Sequence, residues 1–269
     1  MSTLEEIFAR TRAEGRAALI GYLPAGFPTV DGATRALLAM VEGGVDIIEV
    51  GLPYSDPLLD GPTIQQAVDA ALQDGVNTHD VLATVRAVAA TGTPTLVMSY
   101  WNPIERFGVE AFAAALAAAG GAGTINADIV PDEVGSWLAA TTKHGLDRIF
   151  LVAPSSTDAR LASTAAATRG FVYAAAVMGV TGARDQVGSA AQELVRRTKS
   201  VTSLPVCVGL GVSTGAQAAE IARFADGVIV GSAFVRLLLD AGSEAAGVAA
   251  VKSLASELAA GVRSAAKVS

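Results

Sequence analysis

The 269-residue sequence has one cysteine, Cys207, two histidines, and no cluster of lysine or arginine. A single thiol closes no internal disulfide, which suits a reducing cytosol. Cys207 lies in the apolar run Leu204-Pro205-Val206-Cys207-Val208, the setting of a buried structural thiol. The formal charge of −7 and the lack of a basic patch leave no nucleic-acid footprint. His79 and His144 both fall in helical, exposed contexts, so no metal site is expected. No Ser-His-Asp arrangement is readable. Lys143, Lys199, Lys252 and Lys267 lie in helices or the tail, and the lack of a lysine ending a strand near the mouth argues against a Schiff-base aldolase. Apolar stretches are broken by Gly, Pro or charge short of a membrane span. The N-terminal MSTLEEIFARTRAEGRAAL is charged and helical in pattern, unlike a signal peptide. A cytoplasmic protein with no membrane or nucleic-acid partner is expected, and carboxylates remain for any chemistry.

What is present is a large apolar fraction, 51%, with 28 glycines, enough for a barrel-sized core in one domain over 1–269. Strands are predicted at Ala17–Tyr22, Asp46–Val50, Thr95–Met98, Ala122–Asn126, Arg148–Val152, Phe171–Ala175, Pro205–Val208 and Gly227–Val230. Helices alternate with them: Thr3–Glu14 first, then Thr34–Gly43, Thr63–Ala90 split near Gly75 with Thr78 as a cap, and Val109–Ala119. Asp132–His144, Asp158–Thr168, Ser189–Ser200, Thr214–Arg223, Ser232–Asp240 and Glu244–Ala260 complete the series, while Ser99–Pro103 reads as a loop. Near-continuous apolar strands suit a parallel sheet covered on both faces. The regular count predicts an α/β fold, a (β/α)8 TIM barrel with an extra N-terminal helix; a doubly wound sheet gives no reason for that count.

The stretch Asp46–Gln66, DIIEVGLPYSDPLLDGPTIQQ, organises the chain. Glu49 interrupts a buried strand, and burying an ionised, unpaired carboxylate is costly, so Glu49 is either paired or put to use. Asp56 and Asp60 lie on the loop leaving that strand, where aspartates also cap helices and shape turns. Barrel active sites gather at strand C-termini, which is where Glu49 and Asp60 fall. Tyr22, Tyr100 and Tyr173 end, follow or lie within strands one, three and six; each either lines that mouth or packs with its hydroxyl at the rim.

Glycine-bearing loops follow the last three strands: Met178–Ala183, Gly209–Ser213 and Gly231–Ala233. The last two run from strand into helix, where uncovered backbone amides form an anion site without Lys or Arg. Glycines there also serve as plain turn formers. Barrels place phosphate sites after strands seven and eight, so a small phosphorylated ligand is expected.

Several segments together resemble the tryptophan synthase alpha chain family across nearly the whole chain. They are Glu49–Gln65, Tyr100-Trp101-Asn102-Pro103, Gly179-Val180-Thr181-Gly182, Gly209–Ser213 and Gly227–Ala233. The resemblance implies a carbon–carbon lyase that cleaves indole-3-glycerol phosphate to indole and glyceraldehyde 3-phosphate, with no cofactor in this chain. By position, Glu49 and Asp60 would be catalytic, and Gly182, Gly211, Gly231 and Ser232 would hold the phosphate. Tyr22, Ile64, Tyr100 and Tyr173 would flank the indole, and Thr181 would anchor the loop after strand six near Asp60. The implied partner is a pyridoxal-phosphate-dependent beta chain in an alpha2-beta2 tetramer, met by Tyr54–Asp60 and the segment around Tyr100–Pro103. The chain departs from the family pattern at Val177-Met178, where many members have serine and arginine, at Asn126-Ala127, and at the bulky Leu59. Asn126 would bring an amide near the indole pocket or the partner face. Two alternatives share these residues: a stand-alone lyase releasing free indole, and a non-catalytic barrel that activates a partner.

Overall fold

The computed structural model describes residues 3–129, 135–176 and 184–265. Its elements run α1 (Thr3–Ala13), β1 (Ala18–Pro24), α2 (Val30–Glu42), β2 (Ile47–Gly51), α3 (Pro62–Gln73), α4 (Thr78–Ala89), β3 (Thr95–Ser99), α5 (Trp101–Phe107), α6 (Val109–Ala118) and β4 (Gly123–Asn126). Then come α7 (Gly135–Lys143), β5 (Asp147–Val152), α8 (Asp158–Ala167), β6 (Val172–Ala175), α9 (Arg184–Lys199), β7 (Val206–Gly209), α10 (Gly215–Ala222), β8 (Gly227–Val230), α11 (Ser232–Leu239) and α12 (Glu244–Ser264). The strands close in order from β1 to β8, all neighbours parallel, so the chain is a (β/α)8 barrel.

Period-two alternation divides each strand between two cores. Ile20, Ile47, Leu96, Ile125, Ile149, Phe171, Cys207 and Ile229 point inward and fill the barrel. Leu19, Leu23, Ile48, Val50, Val97 and Val208 point outward under the helices. The extra helix α1 closes the barrel's lower end with Leu4, Ile7 and Phe8, the Phe8 ring standing 5.7 Å from Phe171 edge-on. Cys207 is a free, buried thiol inside the barrel.

At that lower end, Asp46 precedes β2 and is buried beside Arg16. Its carboxylate accepts from Arg16 Nη1 at 2.6 Å and Nη2 at 2.9 Å, and from the Leu19 N–H at 2.9 Å. The pair thus joins the entry to β2 with the backbone of β1, and each buried charge is hydrogen-bonded as its burial requires.

Several boundaries differ from the sequence reading for local reasons. α2 begins at Val30, four residues early, because Thr29 Oγ1 accepts from the Gly32 N–H at 2.9 Å. α4 is capped by Asn77 in a capping box with Asp80, not by Thr78. The expected loop at Ser99–Pro103 is largely helix α5, its Trp101 N–H donated to Asp128 Oδ1 at 2.8 Å. Pro103 sits in the first turn, where a missing N–H costs no helical bond. α12 runs to Ser264 and is long and apolar enough to cross a membrane by length and composition, contrary to the expectation that no apolar stretch reaches that length. Its Val251, Ala255, Leu258 and Val262 are buried, and the helix lies along α2 and α10. His144 falls just past α7 and is half-buried against Glu110, its Nε2 2.8 Å from Oε1, rather than helical and exposed.

Candidate active site

One step along the inward face above the barrel core brings a new ring of side chains. Two residues beyond Ile20 is Tyr22; beyond Ile47, Glu49; beyond Leu96, Met98; beyond Ile149, Leu151; beyond Phe171, Tyr173; beyond Cys207, Gly209. These six, with Asp60, Ile64, Ile229 and the loops at Leu210-Gly211 and Gly231-Ser232, line a cavity of about 280 Å³ at the C-terminal mouth. Glycine makes the space: a Cβ on Gly51 would strike the Tyr22 hydroxyl, and one on Gly209 the Tyr173 hydroxyl.

Glu49 is paired in register with Tyr22 on one side and Leu96 on the other. It is fully buried, and neither carboxyl oxygen has a hydrogen-bond partner among the described residues. Burial pushes its pKa up to about 8. Of the two readings of Glu49, paired or put to use, no pairing is found among the described residues. At neutral pH the group is a carboxylic acid aimed into a cavity, able to give a proton and then take one back. Burial also holds the Tyr22 and Tyr173 hydroxyls well above their ordinary range, so both stay neutral.

Asp60 comes from the loop after β2 and is tuned differently. Burial raises its pKa, and a hydrogen bond from Tyr100 offsets part of that rise. The Tyr100 hydroxyl donates to Asp60 Oδ1 at 3.0 Å and accepts the Leu59 N–H at 3.0 Å. Burial pushes the Tyr100 phenol up to about 12, so it remains a donor. Tyr100 therefore stands behind Asp60 rather than in the cavity wall, whereas Tyr22, Ile64 and Tyr173 are in it. Two carboxyls in one cavity, set apart by environment, are a general acid–base pair in form.

Gly211, Gly231 and Ser232 line the same cavity. Their two helices differ. The start of α10 is already served, with Thr214 Oγ1 accepting from the Gln217 N–H at 3.3 Å and Glu257 Oε1 from the Gly215 N–H at 2.7 Å. The start of α11 at Gly231 has no side-chain cap. Anion affinity expected of both helix starts thus rests on α11, with the Gly211 loop beside it. Gly182 and Thr181, with Val177, lie outside the described residues.

Asn126 is not at the cavity. It is buried on the outward face of β4, where its Oδ1 accepts from Trp137 Nε1 at 3.0 Å and Thr124 Oγ1 at 2.9 Å. Strand alternation explains this, since Ile125 takes the inward position. Wall residues missed in the sequence include Met98, Leu151, Ala175, Ala176 and Ile229, which carry no polar signal. Counting by two from Ile47 and its neighbours would have found Met98 and Leu151.

A closed (β/α)8 barrel with two carboxyls and an uncapped helix start lining one cavity at its mouth defines a small-molecule enzyme of acid–base type. The family model described as "Tryptophan synthase alpha chain" matches residues 8–263. The chain is 60% identical to the tryptophan synthase alpha chain of Thermobifida fusca, covering 99% of this chain and 100% of that one. It is 63% identical to that of Streptomyces avermitilis over 97% of this chain and 94% of the other. Among solved structures, a Mycobacterium tuberculosis tryptophan synthase chain superposes with a TM-score of 0.90 at 57% identity, covering 97% of this chain and 98% of that one. The alpha subunit of Legionella pneumophila does so at 0.89 with 31% identity, covering 97% and 98%. The chain belongs to the tryptophan synthase alpha chain family, and so to the lyases.

Proposed function

We propose that the chain cleaves indole-3-glycerol phosphate to indole and glyceraldehyde 3-phosphate, as the alpha subunit in tryptophan biosynthesis. Glu49 carries the proposal: a buried carboxyl with no hydrogen-bond partner among the described residues and a pKa near 8, in a cavity shared with Asp60. Protonated Glu49 gives its proton to the indole C3 while ionised Asp60 accepts the N–H proton, leaving an indolenine. The Glu49 carboxylate then takes the proton of the adjacent glycerol hydroxyl as that carbon becomes an aldehyde. The C–C bond breaks, its electron pair returns to the ring, and Asp60 returns the proton to nitrogen. Both carboxyls end as they began, so the step needs no metal or cofactor.

Amides around Gly211, Gly231 and Ser232 would hold the phosphate, with Gly182 from outside the described residues. Tyr22, Ile64 and Tyr173 would enclose the indole, with Tyr100 acting through Asp60. Thr181 would anchor the following loop near Asp60. A pyridoxal-phosphate-dependent beta chain in an alpha2-beta2 tetramer would receive the indole, in the cytoplasm. Leu58 and Leu59 favour a partner over a stand-alone lyase. They are 77% and 56% exposed on the loop that carries Asp60, apolar surface that a docked chain would cover.

The test is indole release from indole-3-glycerol phosphate by the purified chain, alone and with its beta chain. Cleavage stimulated by the beta chain is expected. Fast cleavage indifferent to it would make this a stand-alone lyase, and no cleavage in either case would remove the assignment.

A further inference from the structure

The segment carrying Asp60 is tied to the barrel from two sides. On one side Tyr100, following β3, holds Asp60 and Leu59. On the other, Arg236 Nη2 of α11 donates to Thr63 Oγ1 at 2.6 Å. Thr63 lies in the first turn of α3, between two cavity residues, Asp60 and Ile64. No side chain caps that turn at Gly61, so the Arg236 bond is its side-chain link to the neighbouring helix, against which α3 packs. Arg236 follows Ser232 by four residues and shares its helix face, one turn from the cavity end where Gly231 and Ser232 stand.

We propose that Arg236 is a positioning residue for the cleavage reaction, joining the helix that holds the substrate phosphate to the turn that sets Asp60. The inference rests on the functional reading above and deepens it. Phosphate seated at the start of α11 and the Asp60 carboxylate acting on the ring nitrogen belong to opposite ends of one substrate. The spacing of those two ends is set by how α11 and α3 are held together, and Arg236 spans that joint. An error near 1 Å in such spacing costs up to about 100-fold in rate.

The experiment compares Arg236→Met, Thr63→Val and their combination in the full chain, saturated with its beta chain, by steady-state indole release. Each single change should lower kcat roughly tenfold while KM shifts by less than about twofold. The combination should be no worse than either alone, since both remove the same bond. Thr63→Ser keeps the acceptor oxygen and should retain the wild-type kcat. Glycerol 3-phosphate, as a probe of the phosphate end alone, should bind all variants equally. Unchanged kcat in both single variants overturns the proposal, as do losses that multiply in the combination. A loss confined to KM overturns it too, by making Arg236 a charge acting on the phosphate. A wild-type chain that releases no indole overturns the functional reading and this inference with it. A wild-type chain that cleaves beside equally fast variants overturns the tether alone.

Discussion

The Tyr100 hydroxyl is bound at both its lone pair and its proton: it accepts from the Leu59 N–H and donates to Asp60 Oδ1, each at 3.0 Å. One side chain from the end of β3 thereby fixes both the backbone and the carboxylate of a loop that leaves β2. Its ring is in turn packed against Tyr54, with centroids 5.3 Å apart. On this side, the placement of Asp60 therefore depends on two neighbouring barrel units.

Tyr100→Phe keeps that ring contact and removes the donor. The hydrogen bond lowers the Asp60 pKa against the effect of burial, so its loss raises that pKa. The acid limb of the kcat/KM profile should move to higher pH, with a rate at pH 7 lower by roughly tenfold, the worth of one hydrogen bond to a charge. A pH–rate profile with an unmoved acid limb would show that Asp60 does not depend on Tyr100.

Glu49→Gln and Asp60→Asn should each cut cleavage by about 100-fold or more, as loss of an acid–base group does. Retained turnover in either variant would remove that carboxyl from the mechanism. In the wild type, kcat/KM should fall on the alkaline side as Glu49 loses its proton through about pH 8.

Glu49 also makes a stability prediction with a definite sign. Its folded pKa, about 8, lies above the ordinary 4.5. Between those values the native state binds the extra proton, so unfolding stability falls as pH rises through that window and levels above it. Glu49→Gln removes the dependence. Thermal unfolding should show the variant more stable than wild type at pH 8, by several kcal/mol at most, with the gap closing toward pH 5. Equal melting temperatures at pH 8 would mean that Glu49 titrates as an exposed acid.

Gly211 has φ of +71°, a conformation L side chains rarely adopt. Gly211→Ala should cost on the order of 1 kcal/mol in stability from backbone strain alone. Gly211→Asp adds a like charge near the phosphate end and should in addition raise KM well beyond that of the alanine variant. Similar KM values in the two would place the phosphate elsewhere.

At the closed end of the barrel, Asp46→Asn removes the buried, bidentate anion of the Arg16 guanidinium and leaves it the half-exposed Glu14 carboxylate, 2.6 Å from its Nε. A loss of about 2 kcal/mol in urea unfolding is expected, less than for an uncompensated buried charge because Glu14 remains, with little effect on cleavage by the remaining folded chain. A stability change below about 1 kcal/mol would show that Glu14 and solvent suffice for the Arg16 charge.

The strand sequence, the barrel, and the places of Glu49 and Asp60 were legible in the chain, because they rest on local periodicity and on loops that follow strands. Strand alternation alone puts Glu49 on the same face as Ile47, and so inside. Nearby residues were harder to read for equally physical reasons. The start of α2 at Thr29 and the helix α5 depend on caps, one within the segment and one supplied by Asp128 from beyond β4. Asn126 was expected near the pocket or partner face, and its outward direction follows from register.

What the sequence by itself determined is which residues could do chemistry: two carboxyls at the ends of one strand and its loop, glycines where an anion can approach, and no thiol, lysine or histidine placed to compete. Only the tertiary structure decided their chemical state. Whether Glu49 is ionised depends on what its neighbours on β1 and β3 offer it, and Tyr22 and Leu96 offer no hydrogen bond. Whether Asp60 is held depends on Tyr100, some 40 residues away along the chain. Desolvation and pairing are sums over neighbours in space, and closure of the barrel is what brings those neighbours together.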